Sequence, residues 1–192
     1  MGGMLLIVSG PAGSGKNTVC ERLMRDFPGV TRAVTMTTRP PRDGEADGRD
    51  YYFTDVADFE SRIEKGEFYE WARVHGRYYG TLKREVAGKL ESGCDVILII
   101  DVQGARKWRE VALADEKIAA SLHSVFIRPA SLEVIGERMR MRGDSDCEIA
   151  RRLETARSEF AEEKYFDRTI LSGSRDEDYA ALKGIYEGFK GI

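Results

Sequence analysis

Three groups of residues in this chain have the types and spacing to do chemistry on phosphates. The first is GPAGSGKNT, residues 10–18, placed directly after the apolar run MLLIVS. Gly10, Gly15 and Lys16 fit the phosphate-loop spacing of glycine, four residues, then glycine-lysine and a hydroxyl residue. Asn17 stands in the hydroxyl position and Thr18 follows one residue late. A loop between a strand and a helix aims several backbone N–H groups at one spot, beside the positive end of the helix dipole. The residues Gly10, Pro11, Ala12, Gly13, Ser14, Gly15, Lys16, Asn17 and Thr18 are therefore expected to hold a polyphosphate. The glycines let the backbone approach it closely, and Lys16 reaches its outer phosphates.

The second group lies in TMTTRPPRDGEADGRDYYF, where Arg39 and Arg42 flank two prolines that keep the chain extended and stiff. Two guanidinium forks fixed a few residues apart suit one phosphate, and Tyr51 and Tyr79 could add phenolic hydroxyls. Taken alone, RPPR reads first as a surface loop of solvated arginines; the rest of the insert turns the reading toward a phosphate site. The third group is arginine-dense. Arg138 and Arg142 are four apart and share one helical face. Arg151 and Arg152 sit on a following helix whose Ile149, Leu153, Ala156 and Phe160 form an apolar stripe. The alternative is a solvated surface balanced by Glu133, Glu137, Glu148 and Glu154.

Positioning these groups calls for an α/β framework. The runs at 4–9, 94–101 and 122–127 are short, apolar and not alternating, as buried parallel strands are, and 168–172 is a weaker fourth. Helical stretches at 16–27, 82–93, 104–114, 131–143 and 176–189 fall between or after them. Strands alternating with helices of this length form a parallel sheet. Two stretches break the rhythm. Residues 37–80, rich in Pro, Gly, Arg and Tyr, read as an inserted subdomain with short strands around a helix at 56–66. Residues 129–158 read as a mobile helical flap.

Bulk properties exclude several classes. Net charge is −3 with 30 Lys and Arg against 33 Asp and Glu, so neither nucleic acid nor an anionic membrane is favoured as a partner. Cys20, Cys94 and Cys147 lack metal or disulfide spacing, and reduced cytosolic thiols are expected. With 2 histidines, a His-rich metal site is not expected. The start lacks the basic region and cleavage site of a signal peptide, and no apolar run reaches the ~18 residues of a membrane span. A cytoplasmic protein is expected.

Six blocks, SGPAGSGKNT, TTRPPRDGEADGRDYYF, EFYEWARVHGRYYGT, IIDVQGA, FIRPAS and RMRMRGD, occur in the order and spacing of the guanylate kinases, and the chain resembles that family over nearly its whole length. The resemblance implies a P-loop kinase core with a parallel sheet flanked by helices, an inserted mixed α+β GMP-binding lobe and a helical lid. As one domain over 1–192, the core would take 1–34, 82–128 and 159–192, the lobe 35–81 and the lid 129–158. It implies phosphorylation of GMP, and of dGMP, by ATP with Mg²⁺, in a monomer or small homo-oligomer. Arg39, Arg42, Tyr51 and Tyr79 would hold the GMP phosphate. Thr35, Glu70 and Thr81 would read guanine, with Asp101 close by. Lys16, Arg138, Arg142 and Arg152 would surround the transferring group, and Thr18 would supply a hydroxyl toward a metal held mostly by phosphates and water.

The chain departs from the family's pattern at Asn17, at Ile99, where an acidic residue is usual, and at Ser172 and Gly173, where an Asn-Asp pair is common. Two rival readings stand beside it: a peptide-binding scaffold domain, which typically lacks the loop lysine, and a sugar-phosphate kinase, which should lack a base-reading Glu70.

Overall fold

The computed structural model describes residues 2–74, 76–141 and 143–192. They form two compact units, Met1–Leu5 with Thr31–Leu98 and Gln103–Leu122, and Leu6–Val30 with Ile99–Val102 and His123–Ile192. Strands β1 (Leu5–Ser9), β2 (Val30–Arg32), β7 (Asp95–Ile99), β8 (Leu122–Pro129) and β9 (Arg168–Ser172) make a parallel five-stranded sheet in the order β2-β7-β1-β8-β9. The residues of β1 and β7 are all buried, which is what apolar runs without alternation require. The four expected strands are all present, with β8 running two residues further than its apolar run suggests.

In the second unit, α1 (Lys16–Asp26) starts at Gly15, whose φ of 90° only glycine adopts readily. Helix α8 (Arg175–Lys190) opens with a capping box between Ser174 and Glu177 and ends at Gly191 with φ 69°. It lies against α1. Phe27 meets Tyr186 with ring centroids 4.8 Å apart, Arg22 pairs with Asp176 at 2.6 Å, and the Tyr179 hydroxyl donates to Asp26. Helices α6 (Leu132–Met141) and α7 (Asp146–Phe160) pack through Ile135, Met139, Ile149 and Ala156. The apolar stripe expected on α7 is thus the face it buries.

In the first unit, β3 (Met36–Thr37), β4 (Tyr52–Phe53), β5 (Phe68–Val74) and β6 (Arg77–Leu82) form a second sheet, ordered β4-β3-β6-β5. Helix α2 (Val56–Glu64) lays Phe59 onto it, stacked on Phe68 at 4.5 Å and Tyr78 at 5.1 Å; Met36 and Leu82 complete this small core. Helices α3 (Lys83–Glu91), α4 (Val102–Ala114) and α5 (Glu116–Ser121) complete the unit. The last is a short helix that no apolar period announces, held by Asp115 accepting from Lys117 N and Ile118 N. No described helix is long and apolar enough to cross a membrane.

Gly80 is where the second sheet is least forgiving. A Cβ there would lie 2.8 Å and 2.9 Å from the Phe68 ring and 3.0 Å from the Glu70 carbonyl. Gly80→Ala should therefore lower stability by about 1–3 kcal/mol through overpacking, read as a reduced urea midpoint; an unchanged midpoint would mean that β5 yields freely at this point.

Candidate functional site

The loop after β1 curls as its glycines permit, with φ of 141° at Gly10, 81° at Gly13 and 90° at Gly15. Gly10 has a second constraint: a Cβ would stand 2.3 Å from the carbonyl oxygen of Ile127 on β8. Ser14 N closes a turn onto Pro11 O at 3.1 Å. The Lys16 ammonium folds back over this turn, donating to Gly10 O at 2.6 Å, Pro11 O at 2.8 Å and Ser14 Oγ at 3.4 Å. Asn17 is exposed and Thr18 half-buried, both in the first turn of α1.

Helices α6 and α7 reach the same loop. Ala12 packs against their buried cluster, and the Arg138 guanidinium donates to Gly13 O at 3.4 Å. Arg152 takes a different partner, Glu148, one turn earlier on α7 at 2.6 Å, and Arg151 binds the same carboxylate at 2.9 Å. Hydrogen bonds from Arg151 and then Arg152 hold the Glu148 carboxyl down at about 2. Arg142 lies outside the described residues. A buried carboxylate that the motifs do not point to, Glu159, stands at the end of α7. Burial pushes its pKa up, the Lys16 charge works against that, and Asp101 adds to it. Asp101 itself is half-buried just after β7, where Ile100 N bonds Val8 O at 3.3 Å. Only its place on an apolar-striped helix, three residues after Ala156, hints at Glu159 in the sequence.

The other cluster belongs to the first unit. β5 and β6 pair with Glu70 opposite Thr81, after a register shift between Phe68 and Glu70. The Thr81 hydroxyl donates to Glu70 Oε1 at 2.6 Å, and both residues are buried. Thr35 is buried one residue before β3, and its carbonyl accepts from Tyr52 N at 2.9 Å. Glu85 ties this corner together, accepting from Tyr52 Oη at 2.9 Å, Lys89 Nζ at 3.2 Å and Val34 N at 3.3 Å.

Arg39, Tyr51 and Tyr79 come together beside it. The Arg39 guanidinium carbon lies 5.2 Å from the Tyr51 ring centre, and the Tyr51 and Tyr79 rings meet edge to face at 6.1 Å. Glu45, which the motif reading passes over, joins the cluster: it accepts from Arg39 Nη2 at 2.9 Å and from Arg42 N at 2.8 Å. Burial works against the Arg39 charge, yet Glu45 first, then Tyr79, hold its pKa above the ordinary arginine value. Burial, followed by the Tyr79 phenol, pushes Tyr51 up. Tyr51 therefore keeps its proton and can donate to an anion. The Arg42 side chain is exposed.

Residues 3–188 match the family described as guanylate kinase. The guanylate kinase of Geobacter metallireducens is 39% identical over 184 residues, which cover 95% of this chain and 87% of the relative. That of Gloeobacter violaceus is 46% identical over 182 residues, covering 94% and 84%. Among solved structures, a guanylate kinase from Anaplasma phagocytophilum superposes with a TM-score of 0.77 at 29% identity, covering 97% of this chain and 86% of that one.

The depressed Glu148 pKa has a pH consequence. Its folded-state value of about 2 lies below the ordinary 4.5, so its pairs with Arg151 and Arg152 stabilise fully above that value. The contribution falls away as pH drops from 4.5 toward 2. Glu148→Gln should flatten that part of the acid limb in urea midpoints measured against pH. Parallel curves for the two proteins would show that the pairs add nothing to stability.

Proposed function

The chain belongs to the guanylate kinase family, and from that premise we infer that it transfers the γ-phosphoryl group of ATP to GMP, giving ADP and GDP, with dGMP as a second acceptor. The buried Glu70–Thr81 pair is the observation that carries the choice of base. A carboxylate accepts at about four lone-pair sites, and Thr81 takes one. Guanine presents N1–H and an exocyclic amine as adjacent donors that the carboxylate can take together. Adenine turns a lone pair toward the same place, leaving a buried charge repelled and unmatched. Thr35 lies on the same reading as a further hydroxyl for the base.

The cluster of Arg39, Tyr51 and Tyr79, with Arg42 following, supports the role of holding the acceptor's phosphate. Glu45 takes Arg39 Nη2 and the neutral Pro40 carbonyl takes Nη1 at 2.6 Å, an acceptor that a charged phosphate oxygen would displace. At the loop, Lys16 donates to neutral carbonyls. A phosphate oxygen is a charged acceptor and binds an ammonium roughly twice as strongly, so polyphosphate would draw Lys16 off Gly10 and Pro11 without a change of fold.

Phosphoryl transfer needs positioning, neutralisation of charge on the moving oxygens and exclusion of water, with little covalent help. Lys16, Arg138, Arg142 and Arg152 would supply the charge, and no general base is assigned. Glu148 holds Arg152 in the state described, so that arginine would exchange one anionic partner for another. Mg²⁺ bound with ATP would neutralise phosphate oxygens. The donor set fits an ion held chiefly by phosphates and water, since no group of three or more His, Cys, Asp or Glu among the described residues could cage a metal. Thr18 would be the chain's own oxygen donor toward it. We place the enzyme in the cytoplasm, which its acidic balance supports in one respect, since it gives no electrostatic footprint for nucleic acid or anionic lipid.

Initial rates of ADP formation from Mg-ATP, with GMP, dGMP, AMP, CMP, UMP and ribose 1,5-bisphosphate offered separately, test this reading. Turnover on GMP far above AMP is expected; activity confined to the sugar phosphate would overturn it. Lys16→Ala should reduce turnover by about two to three orders of magnitude, the usual cost of a lost transition-state donor. Glu70→Ala should instead erase most of the preference for GMP over AMP. A preserved preference in that variant would remove Glu70 from base recognition.

A further inference from the structure

Arg138 and Arg152 are held in opposite ways. Arg152 has its charge matched by Glu148. Arg138 is seated on neutral acceptors: Nη1 donates to Ser172 Oγ at 3.3 Å and Gly13 O at 3.4 Å, and Nη2 to Gly173 O at 3.4 Å. One of these three acceptors, the Ser172 hydroxyl, is oriented by a residue with no part in the phosphate chemistry. Asp178, in the first turn of α8 and 4% exposed, accepts from Ser172 Oγ at 2.8 Å with one oxygen and from Gly173 N at 2.7 Å with the other. A serine hydroxyl has a single proton. With that proton given to Asp178, the Ser172 oxygen can only accept; the Gly173 carbonyl belongs to the next peptide, whose Ser174 N–H donates to Glu177 Oε2 at 2.8 Å. A Cβ at Gly173 would lie 2.6 Å from Glu177 Oε2, the oxygen that accepts from Ser174 N to close the α8 cap, so a larger residue there would displace that carboxylate.

We propose that Ser172 and Asp178 are positioning residues for Arg138: they hold its guanidinium beside Gly13 of the phosphate loop by dipoles alone, so that its full charge stays available for the transferring phosphoryl group. The carboxylate acts once removed, through the Ser172 hydroxyl. Direct contact would have neutralised the arginine, as Glu148 does to Arg152, and would have set it in competition with phosphate. Pre-set donors of this kind add to catalysis because no reorganisation is left for the moment of reaction. The inference rests on the reading of Arg138 as facing the transferred group. It also gives a physical use to Ser172 and Gly173, the stretch where the chain departs from its family's pattern.

A double-mutant cycle in the full-length protein tests it, with kcat measured at saturating ATP and GMP for the wild type, Ser172→Ala, Arg138→Ala and the double variant. Ser172→Ala should lower kcat by about fivefold or more when Arg138 is present and by less than about twofold when it is absent, the non-additivity expected of residues acting through one another. Asp178→Asn should follow the same pattern, since an amide N–H would face one of the two donors that the carboxylate now satisfies. It serves as the second variant if Ser172→Ala folds poorly. A merely structural role would slow both backgrounds by the same factor, and that result overturns the positioning inference while leaving Arg138 in place. An Arg138→Ala variant with unchanged kcat overturns the reading of Arg138 itself, and the inference with it.

Discussion

The phosphate loop rests on one close approach, the Gly10 backbone against the carbonyl of Ile127 at the distance where no side chain fits. That contact fixes where β1 releases the chain, and the two later glycines with positive φ return it to α1. The fold around it has little freedom. The loop must present its amides outward, its own carbonyls must find donors, and Lys16 supplies them. A lysine so placed is already gathered at the site, which reduces the side-chain entropy lost when a polyphosphate takes over as acceptor.

The acceptor side follows a different logic, that of strand register. Side chains on one face of an antiparallel pair meet only if the register is right, and a slip of one residue sends each to the opposite face. The irregularity between Phe68 and Glu70 brings Glu70 opposite Thr81, and the missing side chain at Gly80 lets β5 close over it. Glu85 then binds Tyr52 on β4, Lys89 on its own helix and Val34 just before β3, anchoring the segment that carries Thr35. Arg39 is held by Glu45 and not left to solvent, so of the two readings open to RPPR the clustered one describes Arg39, while Arg42 keeps an exposed side chain.

The legible parts of this protein are those written in short-range pattern. Continuous apolar runs mark the buried strands β1, β7 and β8, and the period of Ile149, Leu153, Ala156 and Phe160 marks the buried face of α7. Glycine spacing marks the loop. What the sequence does not display are pairings between residues far apart in the chain or chosen among equals. Arg138 meeting Ser172 spans 34 positions, and Glu148, of four glutamates noted on the two flap helices, is the one that takes both Arg151 and Arg152. Strands of two residues, such as β3 and β4, carry no period at all; β3 exists because β6 offers it a partner, and β4 because β3 does. Ser172 is visible as a departure from a motif, whereas its partner Asp178 is one acidic residue among several opening a helix.

The central claim is that a buried carboxylate reads two adjacent donors on the acceptor base. Calorimetric titration of the protein with GMP, inosine monophosphate and AMP addresses it directly, because the three share a phosphate and differ in the donors shown to Glu70. GMP should bind tightest, inosine monophosphate, which lacks the exocyclic amine, about tenfold or more weaker, and AMP weakest. Equal affinity for GMP and AMP would contradict it, and would mean that this pocket holds a phosphate without reading the base.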